Sequence, residues 1–237
     1  MLAFQGLGDF KKSIYHLDLC LDNAKQLGDK ALEGRTYGHL GIAFHSLGEL
    51  EKARDYNNQR LVVAEEVGDK TEKECAYNSI GNFFLAIDQD EEAVLFFNSA
   101  RSIAKELKDK YGQGLAYSGL GSVFHGLKDF KKAIHFYSLH LSIAKELKDK
   151  LGQGVTLGNL GHVFFDLGDF KKAKAYHSRR LRIAKEVGDK NEEGGAYWAL
   201  GKDFESQGLL PEALVNYQSS VKVFNDVRNL LESKDEW

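Results

Sequence analysis

The sequence contains very little proline and cysteine, and both shortages restrict the possible folds. Pro211 is the single proline among 237 residues, so long helices can run without interruption. The two cysteines, Cys20 and Cys75, cannot form a disulfide framework or a four-thiolate zinc site within one chain. We therefore expect a helical protein from a reducing compartment, and we predict a cytoplasmic location with no cofactor and no metal.

Charge of one sign and long apolar runs are also missing. Lys plus Arg (32) nearly cancels Asp plus Glu (35), and the net charge of -3 creates no field that would attract nucleic-acid phosphates. The longest stretch without a formal charge, residues 111–127, is shorter than a membrane span and rich in glycine. Residues 1–10 lack the features of a secretory signal. These absences predict no nucleic-acid partner and no membrane insertion.

A repeat of 40 residues organises the chain. Shifting the sequence by 40 positions superimposes it on itself without a gap. Four columns of identical residues come into register: Gly41, Gly81, Gly121, Gly161 and Gly201; Phe44, Phe84, Phe124, Phe164 and Phe204; Ala53, Ala93, Ala133, Ala173 and Ala213; Asp29, Asp69, Asp109, Asp149 and Asp189. Repeated units of this length must stack on one another to bury their apolar faces.

Two apolar stripes with helical spacing occur in each unit. The first stripe defines helix A and is exemplified by Tyr37, Leu40, Gly41, Phe44 and Leu47. The second stripe defines helix B and is exemplified by Phe130, Ala133, Ile134, Tyr137, Leu141 and Ala144. The segments between the stripes are short, so consecutive helices are predicted to pack antiparallel.

The short segments carry helix stop and start signals. A glycine that ends one helix precedes an acidic N-cap of the next, as at residues 47–49 and 67–70. Asp69 with Glu72, and Asp189 with Glu192, have the spacing of a capping box.

Small residues at Gly41 and Ala53 predict a close approach of the two helices in a unit. On this basis Gly121→Leu should cost about 1–3 kcal/mol through overpacking. The Phe124 column is predicted to be core, so Phe124→Ala should cost roughly 3–5 kcal/mol.

The predicted fold is all-α: an α-solenoid, a right-handed superhelix of stacked antiparallel helix pairs. A single array covers residues 1–237, with a partial repeat at 1–27, whose helix B covers 9–27. Complete repeats are predicted at 30–67, 70–107, 110–147, 150–187 and 190–232, and a tail at 233–237. Met1 aligns with the middle of a helix A, so we expect the chain to be a fragment whose uncapped ends can associate end to end.

The columns at Tyr37, Leu40, Gly41, Phe44 and Ala53 resemble the pattern of the tetratricopeptide repeat, here with a 40-residue period. Phrases such as residues 194–201 and 141–149 resemble the Pins/LGN G-protein-signalling modulators. They resemble more closely invertebrate proteins in which such repeats precede a CHAT (caspase-like) domain, and residues 210–237 resemble the repeat just before that domain. No CHAT catalytic segment and no GoLoco-type motif follows in this sequence.

The resemblance implies that helix A lines a concave groove for an extended or helical peptide. The groove positions of this sequence that we single out are Arg35, Ile42, His45, Asn78, Asn82, Leu85, Ser118, Ser122, His125, His162, Phe165, Trp198, Lys202 and Glu205. The Arg and Asn ladder of LGN-like repeats survives only at Arg35 and Asn82, so the ligand cannot be inferred from that family. We expect Asn78 and Asn82 to bond the ligand backbone, Phe165 and Trp198 to pack against apolar groups, and Lys202 to pair with an acid.

Three kinds of function remain open at this point. The first is a protein–protein interaction scaffold without enzyme activity. The second is a repeat segment of a larger signalling protein, either the regulatory part of a CHAT-type peptidase protein or a Pins/LGN-type spindle-orientation adaptor. The third is a spacer with no ligand of its own, which the near-identity of residues 103–110 and 143–150 favours.

Other candidate sites have simpler interpretations. His162 and Asp166 have spacing that could hold a metal ion, but we interpret them as surface or groove residues. The spacing of the glycines and the lysine in residues 195–202 is similar to that of a phosphate-binding loop, yet these residues lie within a predicted helix. Cys75 has no neighbouring base in the sequence and is interpreted as an unreactive thiol.

Overall fold

A computed structural model describes residues 7–232, which fold into eleven α-helices without a β-strand in that range. The helices are α1 (Leu7–Leu27), α2 (Lys30–Ser46), α3 (Leu50–Val67), α4 (Lys70–Ala86), α5 (Asp90–Leu107), α6 (Lys110–Gly126), α7 (Phe130–Glu146), α8 (Lys150–Asp166), α9 (Phe170–Val187), α10 (Lys190–Glu205) and α11 (Leu210–Glu232). The predicted all-α class is confirmed. The predicted tail at 233–237 and the start of the partial repeat lie outside the described residues.

Two compact units divide the chain. Unit 1 is Met1–Val123 and unit 2 is Phe124–Trp237. The core of unit 1 contains Tyr37, Leu40 and Phe44, and that of unit 2 contains Tyr137, Leu141, Leu157, Leu160 and Val163. No helix within residues 7–232 is long and apolar enough to cross a membrane.

The predicted aspartate N-caps are confirmed at four helix N-termini, whereas the predicted capping boxes are not formed. The side chains of Asp29, Asp69, Asp149 and Asp189 each accept a hydrogen bond from a backbone N–H in the first turn that follows. The capping-box interpretation is wrong for the glutamates, because Glu72 and Glu192 turn to another helix. Arg60 Nε donates to Glu72 Oε2 over 2.6 Å, and Arg180 Nε donates to Glu192 Oε2 over 2.8 Å.

The glycine column lies where neighbouring helices come closest. A Cβ atom added to Gly161 would lie 2.3 Å from His177 Nε2, and one added to Gly41 would lie 2.6 Å from Asn57 Nδ2. The predicted close approach is therefore present. The side chain that occupies the space is sixteen residues beyond the glycine, and it differs between repeats.

The phenylalanine column is less buried than we predicted. Phe44 is buried, whereas Phe124 is only partly buried and stacks on Phe136 with ring centroids 5.5 Å apart. Lys132 Nζ also lies over the Phe124 ring, 4.7 Å from its centroid. Phe124→Ala should therefore cost less than the 3–5 kcal/mol expected for a buried phenylalanine.

Candidate functional site

One cavity in unit 2 collects five of the predicted groove residues. His125 near the end of α6, His162 and Phe165 in α8, and Trp198 and Lys202 in α10 line it. Asp166, His177 and Ala199 complete the lining, and the volume is about 240 Å³. Because all these side chains except His177 project from helices of type A, the 40-residue register is what brings them together.

Histidine and carboxylate groups dominate one wall of this cavity. His125 Nε2 lies 2.7 Å from Asp166 Oδ2. Desolvation, followed by the neighbouring His177 and Arg180, lowers the pKa of His162 to about 4, so this imidazole is neutral at pH 7. No three His, Cys, Asp or Glu side chains in the described part of the chain are placed to hold a metal ion. Asp166 pairs with His125 and not with His162.

A second polar pair in unit 2 was not predicted from the sequence. His177 Nδ1 in α9 lies 2.7 Å from Asp203 Oδ2 in α10, and the two side chains are 2% and 0% exposed. His177 Nε2 and Asp203 Oδ1 are buried without a hydrogen-bond partner in the structure. The ring of His162 approaches that of His177 edge-on, with centroids 5.2 Å apart.

The charged residues at the edge of the cavity already have partners. Lys202 Nζ lies 3.5 Å from Glu205 Oε2, an oxygen that also accepts a 2.7 Å hydrogen bond from the Tyr217 hydroxyl. Desolvation and this hydrogen bond to Glu205 raise the pKa of Tyr217 to about 12. Because the Lys202 and Glu205 side chains are 43% and 48% exposed, an incoming acid could replace Glu205 as the partner of Lys202 at little cost.

Unit 1 has a smaller cavity on the corresponding helices. Ile42, His45 and Asn82 line it together with Asn57 and Arg54, and its volume is about 140 Å³. The Asn57 amide nitrogen donates to the Ala53 carbonyl over 2.8 Å, while Asn57 Oδ1 is buried without a partner. Three predicted groove residues are thus brought together in this unit.

The structure separates the remaining predicted groove residues from these two cavities. Arg35 is exposed, and Leu85, Ser118 and Ser122 are half-buried. Asn78 is buried and donates from Nδ2 to Glu74 Oε1 over 2.9 Å, so it does not join exposed Asn82 in a ladder. The expectation that Asn78 bonds a ligand backbone stays a prediction.

The sequence matches the tetratricopeptide repeat family over residues 2–66, 72–146 and 149–226. The chain belongs to the tetratricopeptide repeat family. Its likeness to the Pins/LGN modulators and to CHAT-domain proteins stays a prediction, because the match is to the repeat in general. No functionally curated protein matches the sequence significantly.

Several solved structures share the tetratricopeptide-like fold at low sequence identity. BtubC (BKLC) from P. vanneervenii has a TM-score of 0.79 and 17% identity over 92% of each chain. A Rap protein complexed with Competence and Sporulation Factor has a TM-score of 0.74 and 19% identity over 86% of this chain and 57% of that one. NprR in complex with its cognate peptide NprX has a TM-score of 0.69 and 18% identity over 93% of this chain and 66% of that one.

A buried carboxyl in unit 1 interrupts the repeat pattern. Glu74 occupies a register position that is glycine in the four other repeats, at residues 34, 114, 154 and 194. Desolvation and the nearby Asp109 raise the pKa of Glu74 to about 7. A Cβ atom on Gly112 would lie 2.4 Å from Glu74 Oε1, so the carboxyl fills a space that this glycine leaves.

Cys75 and residues 195–202 are the two remaining candidate sites, and the structure favours an unreactive thiol and a plain helical segment. Burial raises the pKa of the half-buried Cys75 thiol, which disfavours the reactive thiolate. Residues 195–202 lie within α10, so they form part of a helix and do not form a loop that could surround a phosphate.

Proposed function

We propose that this tetratricopeptide repeat chain is a protein–protein interaction scaffold that holds a short peptide segment of a partner against its A helices. The mechanism is binding, without catalysis, and the free cysteines fit a cytoplasmic location. The observation that supports this proposal best is the unit 2 cavity, where five residues expected to contact a ligand lie around one opening.

Proteins with the same fold support the proposal by analogy. The Rap structure contains Competence and Sporulation Factor, and the NprR structure contains its cognate peptide NprX. At 18–19% identity these structures share the fold alone, so the identity of the partner must be argued from this chain's own side chains.

The chemistry of the cavity indicates the kind of segment that fits. Phe165 and exposed Trp198 offer aromatic surface, and tryptophan is enriched at the energetic centres of interfaces. Lys202 at the edge offers a positive charge whose own partner, Glu205, is solvated. We therefore propose a segment that carries an apolar or aromatic side chain next to an acidic residue.

Selection of peptides from a random displayed library against the full chain tests this proposal. Binding of a selected synthetic peptide is then measured by calorimetry for the wild type, Trp198→Ala and Lys202→Glu. We expect Trp198→Ala to weaken binding about 30-fold or more, and Lys202→Glu to weaken it about 5-fold. Val215→Ala, an exposed apolar site on α11 of the same unit, is the matched control and should not change affinity.

Two outcomes would contradict the proposal. One is that no peptide is enriched over a selection against an unrelated helical protein. The other is that selected peptides bind Trp198→Ala and Lys202→Glu as tightly as they bind the wild type.

A further inference from the structure

Helix α9 concentrates positive charge. Its 18 residues include seven lysines and arginines and a single acidic residue, Glu186. The Glu186 carboxylate is already paired, because its Oε1 lies 3.1 Å from Lys150 Nζ of α8. No other carboxylate within α9 balances the seven cations, so the helix depends on its surroundings to neutralise them.

Four of the seven cations form no ion pair within residues 7–232: Lys171, Lys174, Arg179 and Arg182. The other three bind partners in unit 2: Lys172 pairs with Asp169, Arg180 pairs with Glu192, and Lys185 donates to the Tyr197 hydroxyl. Lys174 and Arg179 lie over aromatic rings, 5.1 Å and 5.8 Å from the ring centroids. A cation over a ring keeps N–H groups at its edge that can still bind a carboxylate.

The four cations without an ion pair share one face of α9. At helical spacing they fall within an arc of about 140°, and they extend over about 17 Å from Lys171 to Arg182. Ala175 and Ser178 lie on the same face and are exposed. These small side chains let a second helix approach the α9 backbone while the longer cations reach around it. His177, which lines the unit 2 cavity, is buried and lies outside this arc.

The repeat fold does not require this set of cations. In each of the other five helices of type B, at most one of the four equivalent positions holds a lysine or arginine. Those residues are Lys11 in α1, Arg54 in α3, Lys131 in α7 and Lys222 in α11, and α5 has none. Because like charges three residues apart repel on a helix, the set in α9 opposes helix stability. A partner explains it better than the fold does.

The composition of this face favours carboxylates over phosphates as the ligand groups. No exposed aromatic side chain lies on α9, so a base of a single-stranded nucleic acid would have nothing to stack on. Val187, the one exposed large apolar residue of α9, lies outside the arc, so the face has no apolar surface that could enter a membrane. Carboxylates of a protein remain, and guanidinium groups bind them through two parallel hydrogen bonds.

We propose that the face of α9 formed by Lys171, Lys174, Arg179 and Arg182 is a docking surface for an acidic helix of a partner protein. The four cations are separated by three, five and three residues, a spacing that is the same in both directions along the helix. Glutamates or aspartates at this spacing on the partner helix match them in either orientation. Since the cavity of the proposed function is lined by A helices apart from His177, either site can exist without the other.

Two synthetic helical peptides of about 20 residues test the inference. The matched peptide carries four glutamates at the spacing of three, five and three, and the comparison peptide has the same composition with its glutamates distributed around the helix. Each is titrated into the isotope-labelled full chain at about 10 mM salt, where charges are weakly screened. We expect the matched peptide to shift backbone amide signals of α9, to bind about 3- to 10-fold more tightly than the comparison peptide, and to weaken as salt is added.

A pair of double variants separates this face from the overall charge of the chain. Lys171→Gln with Arg182→Gln removes two exposed cations from α9, and Lys131→Gln with Lys145→Gln removes two exposed cations from α7. Both variants change the net charge equally, and none of the four side chains is buried. We expect the α9 variant to weaken binding of the matched peptide about 3- to 10-fold, and the α7 variant to change it less than about 2-fold.

Three outcomes would overturn the inference. Equal binding of the two peptides would show that the spacing is not recognised, and equal loss in the two variants would assign the binding to net charge alone. Tighter binding of single-stranded DNA or of phosphatidylserine vesicles than of the matched peptide, lost in the α9 variant, would identify phosphate as the ligand group. None of these outcomes bears on the Trp198→Ala test, so the proposed function stands or fails separately.

Discussion

Neighbouring repeats of unit 2 hold opposite chemistry at equivalent buried positions. Tyr137 and Val163 belong to the apolar core, whereas His177 and Asp203 form a hydrogen-bonded pair beside a cavity. The helices that carry the two pairs differ in length by only one residue: α7 and α9 have 17 and 18 residues, and α8 and α10 have 17 and 16. The repeat architecture therefore accepts a polar pair in a core column, and such exceptions mark positions worth testing for function.

The largest expected effect comes from removing one member of the polar pair. His177→Phe leaves the Asp203 carboxylate fully buried without a partner, so we expect a loss of about 3–5 kcal/mol in the free energy of unfolding. Adding Asp203→Val should restore stability to the wild-type value or above it, because the pair becomes that of an ordinary repeat. Urea denaturation of the single and double variants measures both. A single variant as stable as the wild type would show that Asp203 needs no partner.

Glu74 extends the comparison to unit 1, where one repeat has a carboxyl in a glycine column. Its pKa of about 7 in the fold exceeds the ordinary value of 4.5, so the folded chain retains a proton that the unfolded chain releases between these values. The free energy of unfolding should therefore fall by on the order of 2–3 kcal/mol as the pH rises from about 4.5 through 7.

The matched control for this pH dependence is Glu74→Gln, which keeps the shape and removes the titration. Denaturation of both proteins between pH 4.5 and 8 gives the difference that belongs to Glu74. We expect the free energy of unfolding of the variant to increase relative to that of the wild type as the pH rises. A difference that stays constant over this range would contradict the assignment of the proton to Glu74.

The glycine beside the polar pair tests whether His177 is tightly packed. Gly161→Ala places a Cβ atom 2.3 Å from His177 Nε2, so we expect a loss of about 1–3 kcal/mol. Gly154→Ala in the same helix is the matched control, because its Cβ would meet Ile183 at an ordinary 3.6 Å. The control should gain about 0.5–1 kcal/mol from helix propensity. If both variants change the melting temperature in the same direction relative to the wild type, the space beside Gly161 is open.

The identical columns of the sequence predicted the helices, the aspartate caps and the close approach at the glycines, because these depend on local chemistry that every repeat shares. The polar exceptions lie in columns where the repeats differ, and a search for identical residues does not find them. Asp203 stands in a column that otherwise holds Ala43, Phe83, Val123 and Val163. The sequence alone shows that Asp203 differs from the rest of its column. It does not show that His177 is the partner of Asp203, since the contact joins residues 26 positions apart in different repeats.

The misassigned glutamates illustrate the same point. Arg60 with Glu72, and Arg180 with Glu192, each lie twelve residues apart. Where Ala100 and His140 replace the arginine, the second position is glycine, at Gly112 and Gly152. The paired occurrence within one chain indicated the contact between helices. Capping-box spacing alone could not, because a nearby guanidinium competes with the backbone N–H for the same carboxylate.

The smallest expected effect concerns the loops that join consecutive helices of unit 2. Gly168 and Gly188 take positive φ values where they end a helix, whereas Lys148 takes the same conformation at φ 56°. A residue with a Cβ atom is strained there, so Lys148→Gly should raise the free energy of unfolding by about 0.5–1 kcal/mol. Lys145→Gly, three residues earlier within α7, is the control and should lower it by about 1 kcal/mol. Opposite shifts in the denaturation midpoint would show that Lys148 has the backbone geometry of the glycine loops but carries a conformational strain that glycine avoids. A loss of stability in both variants would contradict this interpretation.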